Sequence, residues 1–364
     1  MPQQNWQKKV CIMARVHRFP QLPEKISFAN LPTPIQKLNR LSKEVGKEIF
    51  VWRDDLTGFV ESGNKVRKLE FLVSEAIQKQ ADTLITCGGI QSNHARATAY
   101  VARRAGLDVS LILRDPRDPS IMSQSTISGN LLLNQLCRAH IIHVPYNDYL
   151  AAGSSYTSFL EQEALRLKIK CKNPYIIPEG GSSPLGCLGY AAAVPEMLHT
   201  WQNVTGEKAP DALFFAVGSG GTYAGLHLGF QLNGLSTEKL YAINICDNAE
   251  YFNDKVTGLL DAATEQFHFD ATDRYMQILD GYVGQGYALA TDDDLLFYSK
   301  IASEEGLLLD PVYTGKAFQG MINEIKKNPS RFGKKILFLH SGGTFATFAF
   351  SERYAKLTAF SSSK

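Results

Sequence analysis

No apolar run in this 364-residue chain approaches the roughly 20 residues that a membrane-spanning helix requires. The patch Val10-Cys11-Ile12-Met13-Ala14 is likewise too short for the apolar segment of a secretory signal. We therefore expect a cytoplasmic protein with no membrane partner. An excess of one charge is missing too: 38 Lys and Arg face 36 Asp and Glu, a formal net charge of +2. That balance argues against a nucleic-acid surface, which needs clustered positive charge to displace counterions. The six cysteines are scattered without a C-x-x-C pair. A disulfide framework is not expected, and the thiols read as buried groups in a reducing compartment. Of eight histidines only His140 and His143 lie close together. They fall in the strand-like run His140-Ile141-Ile142-His143-Val144, where a separation of three puts them on opposite faces. No metal is expected there.

What remains is small-molecule chemistry on an ordinary globular composition, 44% apolar and 20% charged, with chain enough for two cores or one core and a lobe. The most informative stretch is Glu61-Ser62-Gly63-Asn64-Lys65-Val66-Arg67-Lys68-Leu69-Glu70-Phe71-Leu72. A glycine-containing turn runs into a helix whose Val66, Leu69, Leu72 and Val73 recur at three- and four-residue spacing. Lys65 falls at the helix start and is thereby fixed in place. A partly desolvated amine near other cations has a lowered pKa, as an amine forming a Schiff base requires. Lys65 is thus the candidate carrier of pyridoxal phosphate, whereas Lys68 in the same basic run reads as solvated face.

Residues 1–24 are polar and basic without period and read as an N-terminal extension. From Leu31-Pro32-Thr33-Pro34 onward β-rich and helical runs alternate. A strand from Glu48 leads to Arg53-Asp54-Asp55. A helix from Lys65 to Gln80 precedes strand Thr83 to Cys87, and strands near Val109–Leu113 and Ile141–Val144 follow with helices between. A second series runs through Tyr175-Ile176-Ile177, Leu213–Val217, Tyr241–Ile245 and Ile336–Leu339. Two such series, without strict alternation, predict an α/β fold of two parallel-rich sheets with helices on both faces. A ligand cleft should lie at the carboxyl ends of the strands.

Three strands end in glycine turns that open helices. Gly218-Ser219-Gly220-Gly221-Thr222 can converge backbone N–H groups on a phosphate at a helix N-terminus. It is neither a dinucleotide fingerprint, since Tyr223 stands where the third glycine belongs, nor a Walker loop. Gly88-Gly89-Ile90-Gln91-Ser92-Asn93-His94 offers two good N-cap residues. Read functionally, Ser92 and the free N–H groups take a substrate carboxylate, and Asn93 bonds a cofactor ring hydroxyl. His340-Ser341-Gly342-Gly343-Thr344 places the Ser341 hydroxyl against a pyridine nitrogen. Tyr287 and Tyr313, in turns that follow apolar runs, stand out among 15 tyrosines.

These motifs, in this order, resemble the pyridoxal-phosphate-dependent D-cysteine desulfhydrase and 1-aminocyclopropane-1-carboxylate deaminase family, of the tryptophan-synthase-β-like type II fold. The likeness extends from about Leu31 to about Thr347 and includes Gly63-Asn64-Lys65-Val66-Arg67-Lys68-Leu69-Glu70 and Asp310-Pro311-Val312-Tyr313-Thr314-Gly315-Lys316. It implies Lys65 as the Schiff-base lysine, with Asn64 beside it, and Gly218 to Thr222 as the phosphate cup. It implies Asn93 at the ring hydroxyl, Tyr313 packed on the ring, and Ser341 where relatives commonly place threonine. Ser92, Tyr287 and Tyr313 become the other catalytic candidates, with Ser92, Asn93, His94 and Thr314 on the substrate. The chain departs from the family at Ser62, where glycine is common.

Within the family, cyclopropane deaminases resemble Tyr-Glu where this chain has Tyr313-Thr314. Expelling thiolate needs no proton placed on carbon, so Thr314 favours α,β-elimination of D-cysteine to pyruvate, hydrogen sulfide and ammonia. The alternatives are a cyclopropane amino acid, another D-amino acid or sulfonate analogue, and a non-catalytic amino-acid or nucleotide-binding module. The expected division is a large cofactor domain of residues 25–68 and 179–364, a small α/β domain of residues 69–178, and assembly as a homodimer.

Overall fold

The computed structural model describes residues 22–117 and 127–358. Most of the predicted extension, and Cys11 within it, lies outside them. The described chain is an α/β fold with two sheets. The strands are β1 (Ile35–Lys37), β2 (Glu48–Trp52), β3 (Thr83–Gly89), β4 (Asp108–Arg114), β5 (His140–Val144), β6 (Pro174–Ile176), β7 (Ala212–Val217), β8 (Leu240–Asn244), β9 (Gln277–Leu279) and β10 (Lys335–Leu339). Six form one sheet in the order β1-β2-β10-β7-β8-β9, with only β1 antiparallel. The other four form a parallel sheet, β5-β4-β3-β6.

Both faces of the larger sheet are buried, which is why its strands read as unbroken apolar runs. Leu213 and Phe215 of β7 and Leu337 and Leu339 of β10 enter one core, and the alternate residues Phe214, Ile336 and Phe338 enter a second. The first core is continuous with one face of the smaller sheet through Leu84, Val109, Leu111 and Leu113. The opposite face, with Ile85, Cys87 and Ile112, packs against Tyr156, Leu160 and Leu167. Between the sheets runs the helix Asn64–Gln78, buried through Val66, Leu69, Phe71, Leu72 and Val73.

Three expectations are corrected. The Tyr175 strand does not belong with the second series: as β6 it pairs with β3 in the smaller sheet. β3 does not stop at Cys87: Gly88 and Gly89 continue the ladder opposite Leu113 and Arg114, so its turn begins at Ile90. The thiols are not uniformly buried either. Cys87 and Cys187 are, whereas Cys137 and Cys246 are partly open and Cys171 is exposed.

Candidate active site

The start of the Asn64–Gln78 helix is fixed by close backbone packing. Gly63 has φ +106°, and a Cβ there would come within 2.9 Å of the Ser341 carbonyl oxygen. Gly342, φ +98°, faces it, with a Cβ only 2.7 Å from Gly63 Cα. Only glycine satisfies both positions. Asn64 N–H donates to the Ser341 carbonyl at 2.9 Å, and the buried Arg96 guanidinium donates to the Ser62 carbonyl at 3.0 Å and to that of Val60. Lys65 is therefore held one residue into the helix, and its Nζ donates to Asn64 Oδ1 at 2.9 Å. Desolvation, with Lys68 and Arg96 adding like charge, pushes this amine well below its ordinary pKa. Asp310 and Glu179 oppose the shift without reversing it.

The turn after β7, Gly218-Ser219-Gly220-Gly221-Thr222, opens the helix Gly221–Leu232. Asn64 Nδ2 donates to Thr222 Oγ1 at 3.1 Å, tying the Lys65 turn to this one. A second glycine turn, Glu179-Gly180-Gly181-Ser182, closes the cup. Ser182 Oγ donates to Ser219 Oγ at 2.9 Å and accepts from Gly221 N–H at 3.2 Å. A Cβ on Gly221 would lie 2.6 Å from Ser182 Oγ and 2.9 Å from Lys68 Nζ. Lys68 is thus not the solvated side chain its basic run suggests. It is fully buried, its Nζ donates to the Gly180 carbonyl at 3.1 Å, and burial lowers its pKa to about 8. Apolar packing of the helix on both sides turns Lys68 inward, beneath the cup.

Opposite the cup, Ser92 caps the helix Asn93–Arg104 by accepting from Ala95 N–H at 3.1 Å. Asn93 Oδ1 accepts from Asn130 Nδ2 at 2.8 Å. His94 shares a hydrogen bond of 2.8 Å with Thr86 Oγ1 through Nε2, while its buried Nδ1 has no partner. Burial and the two nearby lysines hold His94 neutral. The hydroxyls of Tyr287 and Tyr313 bond each other, and burial raises both pKa values, so both stay protonated at neutral pH. His340 is spent elsewhere, with Nε2 2.8 Å from the Leu308 carbonyl.

One cavity of about 490 Å³ is lined by Asn64, Lys65, Ser92, Asn93, His94, Gly218, Ser219, Gly220, Thr222, Tyr287, Tyr313 and Ser341. Two expected residues do not line it. Gly221 backs the cup, and Thr314 is turned away from it. Thr314 has no exposed surface, its N–H and Oγ1 donate to Asp310 Oδ1 at 2.7 and 2.6 Å, and Oγ1 also accepts from Asp310 N–H. Its hydroxyl is fully used inside the loop, so Thr314 is withdrawn as a substrate contact. Sequence reasoning missed Gly180, Ser182, Glu179 and Arg114 in or beside the cavity. Glu179-Gly180-Gly181-Ser182 repeats the strand, glycine pair, hydroxyl pattern of the other turns and was detectable by it.

The residues present fit a phosphorylated aldehyde: an amine whose pKa burial lowers, a glycine cup at a helix N-terminus, and a buried cation below it. Replacing Lys68 by Met should weaken cofactor affinity about tenfold in a titration of the apoenzyme, because it removes the charge beneath the cup and the bond that holds the Gly180 carbonyl. The apoenzyme should respond in the opposite sense. Lys68 titrates lower in the fold than in the unfolded chain, where its value is near 10.5. The protonated amine therefore costs stability below about pH 8, and the cost disappears as pH rises toward 10.5. Urea unfolding of the Lys68→Met apoenzyme should show higher stability at pH 7 and a smaller gain up to pH 10.

A lysine and a phosphate cup joined in one cleft between two parallel-rich sheets define the type II fold of the pyridoxal-phosphate enzymes, the tryptophan-synthase-β-like arrangement. The chain belongs to the family described as pyridoxal-phosphate dependent enzyme, whose model matches residues 26–342. It is 41% identical over 348 residues to the mitochondrial bifunctional D-cysteine desulfhydrase/1-aminocyclopropane-1-carboxylate deaminase of Arabidopsis thaliana, covering 94% of this chain and 83% of that one. It is 38% identical over 333 residues to the D-cysteine desulfhydrase of Salmonella typhimurium, covering 92% and 97%. A crystal structure of an ACC deaminase homologue superposes with a TM-score of 0.79 at 34% identity, covering 92% of this chain and 96% of that one. Pyridoxal phosphate is accordingly the cofactor.

Proposed function

We propose that the protein is a D-cysteine desulfhydrase, releasing pyruvate, hydrogen sulfide and ammonia by α,β-elimination. The observation that carries this reading is the placement of Lys65, whose amine meets Asn64 Oδ1 at 2.9 Å in the cavity between the phosphate cup and the Ser92 turn. When bound, pyridoxal phosphate supplies the electron sink that makes the α-proton of an amino acid removable.

The chain's own groups do the rest. Lys65 is the attachment point and the base that takes the α-proton. Gly218 to Thr222 would hold the phosphate, with the buried Lys68 amine beneath the cup adding its charge. Asn64, Asn93, Tyr313 and Ser341 complete the cofactor contacts. The helix N-terminus at Ser92 and Asn93, beside neutral His94, receives the substrate carboxylate. The Cβ–S electron pair leaves with sulfur, and the protonated hydroxyls of Tyr287 and Tyr313 can donate to it. The dehydro amino acid then hydrolyses to pyruvate and ammonia.

Glu179 favours a second reading. It lines the cavity and burial raises its pKa, so it is a candidate proton donor for opening a cyclopropane amino acid. A panel assaying sulfide, pyruvate and 2-oxobutyrate separates the two. We expect sulfide and pyruvate from D-cysteine at a kcat/KM at least tenfold above that for 2-oxobutyrate from 1-aminocyclopropane-1-carboxylate. The reverse order would replace our reading with the deaminase. Colourless protein that stays colourless with added cofactor would favour the non-catalytic module.

Among the described residues no helix is long and apolar enough to cross a membrane. We place the enzyme in the cytoplasm because the five described cysteines are free thiols, as a reducing compartment keeps them. A homodimer belongs to the same reading, on family resemblance, and sedimentation reads it directly.

A further inference from the structure

Arg114 ends β4, and its backbone pairs with Gly89, the last residue of β3. It therefore enters the cavity one strand over from the Ser92 turn, while the phosphate cup lies at the end of β7 in the other sheet. Three tyrosine rings frame its guanidinium, with centroids 4.6 Å (Tyr149), 5.5 Å (Tyr146) and 5.8 Å (Tyr287) away. Cation–π contact of this kind orients the planar group without neutralising it. Among the described residues Arg114 is left without an ion-pair partner, although Glu179 is near enough to favour its charge. The Arg114 Nε is shielded from solvent without a hydrogen-bond partner. Arg67, by contrast, is paired with Asp54 and Glu196, Arg103 with Asp108, and Arg166 with Glu163.

A guanidinium N–H shielded from water without an acceptor, as Arg114 Nε is, is costly unless a ligand supplies one. The other charged groups of the cavity do not. Lys255 and Lys65 carry the same sign, and Glu179 and Asp247 line the cavity without pairing with Arg114. We propose that Arg114 determines substrate specificity by receiving an anionic group on the amino acid's side chain, a thiolate, carboxylate or sulfonate on Cβ. This rests on the amino-acid lyase reading above and extends it to the substrate class. With D-cysteine the guanidinium faces the sulfur as the Cβ–S bond breaks and both electrons go to sulfur; a bound thiolate takes one proton from the Tyr287–Tyr313 hydroxyl pair and leaves as hydrosulfide. A neutral side chain gains nothing from it.

The test is titration of the holoenzyme's visible band with D-alanine and D-aspartate, which differ by one carboxylate on Cβ. The wild type should bind D-aspartate at least tenfold more tightly than D-alanine. Arg114→Gln should erase that preference while changing D-alanine affinity less than threefold, and Arg114→Lys should keep part of it. An unchanged preference in Arg114→Gln, or equal weakening of both ligands, would overturn the proposal; the second result would make Arg114 a support for Tyr287 only. Sulfide release from D-cysteine, assayed in parallel, reports separately on the desulfhydrase reading. Its absence alongside an Arg114-dependent preference would sink that reading and leave the anion subsite standing.

Discussion

Lys65→Ala should lower sulfide release from D-cysteine by at least about a thousandfold, because one substitution removes both the attachment point and the base that takes the α-proton. The visible band of the holoenzyme should be lost with it. The fold should survive. Lys65 is an amine that the fold holds below its ordinary pKa, so its protonated form costs stability at neutral pH and alanine removes that cost. Circular dichroism and urea unfolding of the variant apoenzyme should therefore match or exceed the wild type. The phosphate cup is untouched, so pyridoxal phosphate should still bind noncovalently at reduced affinity. Sulfide release at the normal rate would refute the assignment of Lys65.

Arg67→Met should destabilise the protein by about 3–5 kcal/mol, the range for leaving one partner of a buried ion pair behind. Asp54 has no exposed surface and accepts from Arg67 Nε and Nη2, both at 2.8 Å, as well as from Thr33 Oγ1 at 2.7 Å and Tyr190 Oη. Methionine fills the volume but leaves the carboxylate with two hydroxyl donors and no countercharge. Urea unfolding at pH 7 measures the loss, and adding Asp54→Asn should recover part of it. A change below 1 kcal/mol would show that the network is spare. Arg67 lies two residues from Lys65 on the same helix, so the variant should also loosen the amine and lower kcat more than it raises KM.

Local patterns in the chain announced much of this. Lys65 was legible because a glycine turn meets an apolar helical period there, and both features survive as close backbone packing and a buried helix. The strands were legible because sheets buried on both faces leave unbroken apolar runs. Lys68 was not legible. Whether a lysine at that helical position meets water or another turn depends on Gly180 and Gly221, more than a hundred residues away in sequence. Thr314 failed for a different reason. It follows Tyr313, but Asp310 claims its N–H and hydroxyl within one turn, a local competition that a motif does not display. Arg114 and Glu179 reach the cavity only because strands from distant parts of the chain end at the same place.

The proposed attachment at Lys65 can be read by reducing the holoenzyme with borohydride, digesting it and sequencing the modified peptide by mass spectrometry. The phosphopyridoxyl mass should fall on Lys65, with none on Lys68. Modification at Lys68, or at a lysine outside the cavity, would contradict the site described above.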